Sequence, residues 1–180
     1  GVLYVKAGLQ LEKIMHGADH ERNMRNGTEN VLEIAGLGKA CEIAQRDLSI
    51  NQETMKTSRD LLYNTLKQSI PTIHLNGHPE KRLPNTLSVS FPGVEANLIL
   101  NKLTDEGIAA SAGAACHTDE IDVSSVLQAT GLEQFTAMGT IRFSTGKHTS
   151  SEEINKAAKV IIDTVKSFSQ VENPSEGTDE

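Results

Sequence analysis

The chain has 180 residues, of which 37% are hydrophobic and 23% charged, with no Trp and a formal net charge of −7. That length suits one well-cored domain, or one domain joined to pieces of another, with a core built from aliphatic side chains. The acidic balance argues against a broad nucleic-acid surface, which needs clustered Lys and Arg. No apolar run approaches the roughly 20 residues of a membrane helix, and no signal-peptide pattern is visible.

Residues 1–5 (GVLYV) form a strand-like apolar run. A strand there needs neighbours to bond its backbone, and this end of the chain supplies no evident partner. The opening therefore reads as the continuation of something larger. Residues 6–30 are polar and Gly-punctuated, and read as loop. Val31, Ile34, Leu37, Cys41, Ala44 and Leu48 recur at helical spacing. Cys41 falls in the core phase of that helix and reads as a small buried hydrophobe. Leu62, Leu66 and Ile70 continue a second helical pattern, stopped by Pro71. Thr72 to Asn76 is a short strand candidate before the turn Asn76-Gly77-His78-Pro79.

Leu87, Val89 and Phe91 alternate with Thr86, Ser88 and Ser90, the period of a half-buried strand ended by Pro92-Gly93. Leu98, Ile99 and Leu103 mark a helix with Gly107 as its stop. Residues 108–111 lead into a small-residue loop, Ala112 to Cys116. Ser124 to Thr130 reads as a short helix closed by Gly131, and Thr140 to Ser144 as a strand. Ser150 and Glu153 form a capping box for a last helix with Ile154, Ala158, Ile161, Val165 and Phe168 on one face. Residues 171–180 are acidic, apolar-poor and read as a disordered tail. Helices mixed with short, half-polar strands predict a two-layer α/β domain with a small, mostly antiparallel sheet.

Three segments have residue types suited to chemistry. Cys116 sits in GAACHTDEID, a run polar on its far side, where a thiol is either a reactive group on a loop or a small core residue. The two cysteines are far apart in sequence, so a reducing compartment is the simpler reading than a disulfide. His117 beside Cys116 points away from it on an extended backbone, and no C-x-x-C or H-x-x-x-H spacing exists, so no metal site is expected. Arg25-Asn26-Gly27-Thr28 brings together a guanidinium, a hydroxyl and a Gly-freed amide, the ingredients of an anion pocket, although a solvated loop has the same composition. Asn26-Gly27-Thr28 also matches a glycosylation sequon, which without a secretory signal is read as unused. Arg142, between Ile141 and Phe143, belongs on the opposite strand face. There it is solvent-facing, or grips a substrate carboxylate if that face lines a cleft.

The blocks GVLYV, HERNMRNGTEN, LPNTLSVSFPGVEA, GAACH and IRFSTGKHTSSEEI, in this order, resemble the NifS/IscS-like cysteine desulfurases and the selenocysteine lyases within the class-V aminotransferases. GAACH is closer to the lyases than to the GSAC form usual in the desulfurases, which tilts the expected element towards selenium. The resemblance implies the aspartate-aminotransferase type of fold (fold type I), working as a homodimer with pyridoxal 5′-phosphate at the interface. It makes Cys116 the acceptor of sulfur or selenium from a small amino-acid substrate, L-cysteine or L-selenocysteine, leaving L-alanine. A protein that then takes the sulfur or selenium is a further possible partner. Arg142 would hold the substrate carboxylate. Thr28 would reach the cofactor phosphate of the neighbouring subunit, with Arg25 and Gly27 shaping its loop. Where the family usually has three glycines before Gln or His, this chain has Gly17-Ala18-Asp19-His20.

The family's Schiff-base lysine lies just upstream of the segment matching GVLYV, and no lysine here stands in its context. The expected division is residues 1–40 as the end of the large cofactor-binding domain and 41–170 as the C-terminal small domain. The expected compartment is the cytoplasm, with the mitochondrion as an alternative. By itself the chain is expected to be inactive. Other readings are a non-catalytic dimerisation or partner-binding module and a persulfide carrier using Cys116 alone.

Overall fold

A computed structural model describes residues 1–117 and 120–169, except for the side chains of 114–117, 120–123 and 169. The backbone separates into two compact units, Gly1–Leu48 and Ser49–Glu180. The division falls inside the first helix, α1 (Val31–Ser69). Two helices were expected there, and one of 39 residues is found. Between the two apolar patterns, residues 49–61 contain neither Pro nor Gly, so nothing interrupts the hydrogen-bond ladder. The first interruption is at Pro71, as expected.

Unit 2 holds the core. The strands β1 (His74–Leu75), β2 (Thr86–Ser90), β3 (Ser111–Ala112) and β6 (Thr140–Ser144) form one antiparallel sheet in the order β1-β2-β6-β3. The β2–β6 register sets Leu87 against Phe143 and Val89 against Ile141 on one face, and Ser88 against Arg142 on the other. Because strand side chains alternate, the apolar set lies together against Leu62 and Leu66 of α1, Ile99 and Leu103 of α2 (Ala96–Asp105), and Ile154, Ala158, Ile161 and Val165 of α5 (Ser151–Ser169). The result is the expected two-layer α/β arrangement with a small antiparallel sheet.

Local signals explain the element ends. Gly107 and Gly131 take positive φ, 72° and 76°, just past α2 and past α3 (Ser125–Ala129), where only a residue without Cβ turns the chain cheaply. The capping box at α5 is formed in both directions: Glu153 Oε2 accepts from the Ser150 amide at 2.8 Å, and Ser150 Oγ accepts from the Glu153 amide at 3.2 Å.

Four further expectations are corrected. GVLYV is not a strand; Val2, Leu3 and Tyr4 are exposed, because no strand among the described residues lies beside it to bond its backbone. Cys41 is exposed rather than buried, since every buried residue of α1 lies at Ser58 or beyond. The small-residue segment is not a loop. After β3 it continues as β4 (Ala114–His117), paired antiparallel with β5 (Glu120–Val123), with Cys116 opposite Ile121. Finally, the α2 core phase is Ala96, Ile99 and Leu103, with Leu98 exposed. Two elements had no forecast: β5, whose alternation is only four residues long, and the five-residue α4 (Gln134–Met138), whose Glu133 cap makes no side-chain bond. The tail expected to be disordered, 171–180, lies outside the described residues.

Replacing the fully buried Ile161 with Ala should lower the stability of unit 2 by about 2–5 kcal/mol. Ser150→Ala, which removes one side of the capping box, should cost about 1 kcal/mol. Urea unfolding followed by circular dichroism distinguishes the two, and equal losses would contradict this placement of the core.

Candidate functional site

In unit 1, residues 13–30 form a tightly bonded loop. Glu21, Arg22 and Asn23 have φ of 51°, 58° and 63°, a left-handed run that costs about 1–2 kcal/mol per non-Gly residue. Several contacts hold it. His20 and Arg25 exchange backbone bonds across the turn, at 3.2 and 3.4 Å, and the Met24 amide donates to Glu21 O at 3.2 Å. Lys13 Nζ donates to Gly17 O, Asp19 Oδ1 and Asn23 Oδ1. Asn26 Nδ2 donates to His16 O at 3.0 Å.

The three residues Arg25, Gly27 and Thr28 are brought together here. Arg25 Nη1 donates to Asn26 O at 2.7 Å and Nη2 to Thr28 O at 3.0 Å, so the guanidinium arches over the Gly27 turn. Gly27 has φ 82°, a conformation suited to glycine. Arg25 and Thr28 line a cavity of about 960 Å³, along with Glu21, Asn30 and Glu33. The Thr28 hydroxyl has no hydrogen-bond partner among the described residues.

One contact in this loop had no sequence signal. His20 Nδ1 lies 2.8 Å from Glu29 Oε1, nine residues apart, a spacing that matches no regular element. The bond to His20, then the Glu29 backbone amide, holds the Glu29 carboxyl below its ordinary value of 4.5.

In unit 2, Arg142 is exposed on the sheet's open face in the interior strand β6, flanked by Ser88 on β2 and Ser111 on β3. Its guanidinium has no hydrogen-bond or ion-pair partner among the described residues. An unpaired guanidinium between two small hydroxyl residues leaves its fork free for a planar anion. Beyond Ser111 the same strand line continues into β4 and Cys116. Backbone pairing places Cys116; its side chain is outside the description. Arg142 and Cys116 thus belong to one unit, while Arg25, Gly27 and Thr28 belong to the other. No group of His, Cys, Asp and Glu able to hold a metal ion exists among the described residues. No described helix is long and apolar enough to cross a membrane.

The aminotransferase class-V family profile matches residues 3–157. Similar curated proteins include a cysteine desulfurase IscS of Methanosarcina thermophila, 38% identical over 92% of this chain and 41% of that protein. Another, from Histophilus somni (strain 129Pt), is 41% identical over the same shares of each. The chain therefore spans less than half the length of these relatives. Among solved structures, a NifS-like protein superposes with a TM-score of 0.77 at 34% identity, over 92% of this chain and 41% of that one. A NifS-like protein from Rickettsia africae gives 0.72 at 26%, covering 90% and 41%. The fold is the one shared by these NifS-like proteins.

Glu29 generates a pH prediction. Its carboxyl titrates lower when folded than when unfolded, so the stabilisation it lends the loop is complete above 4.5 and fades as pH falls through the lower folded value. Carbon chemical shifts of His20 and Arg25 should therefore move in that acidic window in the wild type but not in Glu29→Gln. Identical titrations of the two would show that the His20 contact does not order the loop.

Proposed function

Since the chain belongs to the class-V aminotransferase family, we propose that it is the C-terminal part of a pyridoxal-phosphate-dependent cysteine desulfurase that passes sulfur to Cys116. The observation that supports this most directly is Arg142, an exposed and unpartnered guanidinium in the interior of the sheet, on the strand line that leads to Cys116. Residues 1–40 belong, on this reading, to the end of the large cofactor-binding domain and residues 41–170 to the small domain.

Arg142 binds the substrate carboxylate through its two-pronged fork, and that grip orients the substrate's sulfur. The Cys116 thiolate attacks this sulfur. An S–S bond forms as the substrate Cβ–S bond breaks, with the electron pair staying on carbon, which is protonated on the way to alanine. The product on the protein is a persulfide, which an acceptor thiol can take up. The cofactor, when bound, supplies the electron sink for the substrate carbon.

Thr28 donates its free hydroxyl to the cofactor phosphate of a second subunit, and Arg25 keeps the Gly27 turn open for that approach. Glu21 and Glu33 share that cavity lining and would repel an anion, so Thr28 and Arg25 are the residues there that would hold the phosphate. This role requires a homodimer. The relatives named as cysteine desulfurases favour sulfur as the transferred element. The GAACH form is the feature that keeps selenium as the second reading.

In the longer protein containing this chain, Cys116→Ser should abolish alanine release and leave no persulfide detectable by mass spectrometry. Arg142→Lys should lower kcat/KM by about 10- to 100-fold, mainly through KM, as a charged hydrogen-bonded pair is weakened. The 180-residue chain alone, mixed with pyridoxal phosphate, should develop no absorbance of a lysine-bound cofactor and release no alanine. Wild-type turnover by Cys116→Ser would overturn the proposal, and comparing cysteine with selenocysteine as substrate separates the two elements.

A further inference from the structure

The sheet's open face is not uniformly open. Ser88 and Arg142 lie towards its solvated end, whereas Ser90 and Thr140, one step along the same two strands, are fully buried. Buried hydroxyls must find partners, and these form a continuous chain. Thr140 Oγ1 lies 2.7 Å from Ser90 Oγ, with either able to donate. Asn76 Nδ2 donates to Ser90 Oγ at 2.9 Å and to Ser88 Oγ at 3.2 Å. Arg82 Nη2 in turn donates to Asn76 O.

One end of this chain, Ser88, is the cross-strand neighbour of Arg142. The other, Thr140, is the seat of Gly113. The Gly113 amide donates to Thr140 O at 2.7 Å, and Gly113 O accepts from the Ser124 amide at 3.2 Å. Gly113 therefore joins the four-stranded sheet to the β4–β5 ribbon, three residues before Cys116. Its fit is close: a Cβ there would lie 2.7 Å from Thr140 Cγ2 and 2.8 Å from Leu127 Cδ1. Thr140 can present that methyl to Gly113 only while its hydroxyl is turned towards Ser90, because the two groups share one χ1.

We propose that Asn76, Ser90 and Thr140 are positioning residues, a buried hydrogen-bond relay that fixes the root of the Cys116 ribbon relative to Arg142. This rests on the reading of Cys116 as acceptor and Arg142 as clamp. The relay touches neither substrate nor cofactor. It sets the rotamer on which Gly113 rests and the hydroxyl beside which Arg142 stands. Breaking it frees the ribbon while leaving the strand pairing intact.

The test uses the longer protein, with Cys41 as an internal reference because it is exposed on α1. Iodoacetamide labelling of the two thiols is compared by mass spectrometry in wild type, Ser90→Ala, Thr140→Val, Thr140→Ser and Ile161→Val. Ser90→Ala and Thr140→Val should raise the Cys116-to-Cys41 labelling ratio by about threefold to tenfold, the change in ribbon population that losing one buried hydrogen bond supports. Thr140→Ser keeps the hydroxyl but loses the methyl against Gly113, so its ratio should lie between those of wild type and Thr140→Val. Ile161→Val, destabilising at a remote core site, should leave the ratio unmoved. Unchanged ratios in Ser90→Ala and Thr140→Val, or an equal rise in Ile161→Val, would overturn the relay. Wild-type desulfuration by Cys116→Ser would instead overturn the functional reading and leave the labelling result standing.

Discussion

The antiparallel pairing of β2 with β6 is the constraint on which unit 2 depends. Five residue pairs, from Thr86 with Ser144 to Ser90 with Thr140, fix the register. A slip of one residue would send every side chain to the other face. In the observed register Leu87, Val89, Ile141 and Phe143 meet three helices, and that burial is what holds the strands in place. Arg142 is exposed as a consequence of the same alternation. The guanidinium needs no special device to reach the open face, because the aliphatic residues on either side of it are drawn into the core.

Close backbone approaches then determine what happens at the sheet's far end. Gly139 lies so near the Phe91 and Val94 carbonyls that a Cβ there would come within 2.2 and 2.6 Å of them. Gly113 is similarly crowded against Thr140. Gly139 lets the start of β6 approach the turn after β2, and Gly113 lets the β3–β4 strand line approach β6, without a side chain between them. The small-residue segment ahead of Cys116 thus serves packing, and its backbone is bonded to the sheet at Gly113.

Much of this was legible in the sequence because it depends on period and punctuation. The alternation of Leu87, Val89 and Phe91, the Ser150–Glu153 capping box and the stops at Gly107 and Gly131 are local features, and the structure forms each one. What was not legible depends on contacts distant in sequence. GVLYV has the composition of a strand, but composition cannot supply a partner. Cys41 has a core-phase spacing, but phase indicates a helix's apolar side and not whether anything covers it. The Asn76–Ser90–Thr140 chain joins residues up to 64 positions apart through hydroxyls that read, in sequence, as the polar half of two strands. Arg142 was placed on the open face from its neighbours alone. Its lack of a partner, the property that makes it a candidate clamp, required the structure.

The two clusters of candidate residues are built by different physics. Arg25, Gly27 and Thr28 are held by a loop's own hydrogen bonds, including three consecutive left-handed residues tied down by Lys13 and by the His20–Arg25 exchange. Strain of this kind persists only where the surroundings over-determine it. Arg142 and the Cys116 strand instead take their positions from a packed sheet. A loop that is rigid through its own bonds can hold a hydroxyl ready in a cavity. A sheet with one buried and one open face can hold a guanidinium beside a strand that leaves the core at a single glycine. The β2–β6 register places Arg142 directly, and the backbone bonds of Gly113 tie the Cys116 strand to that same sheet.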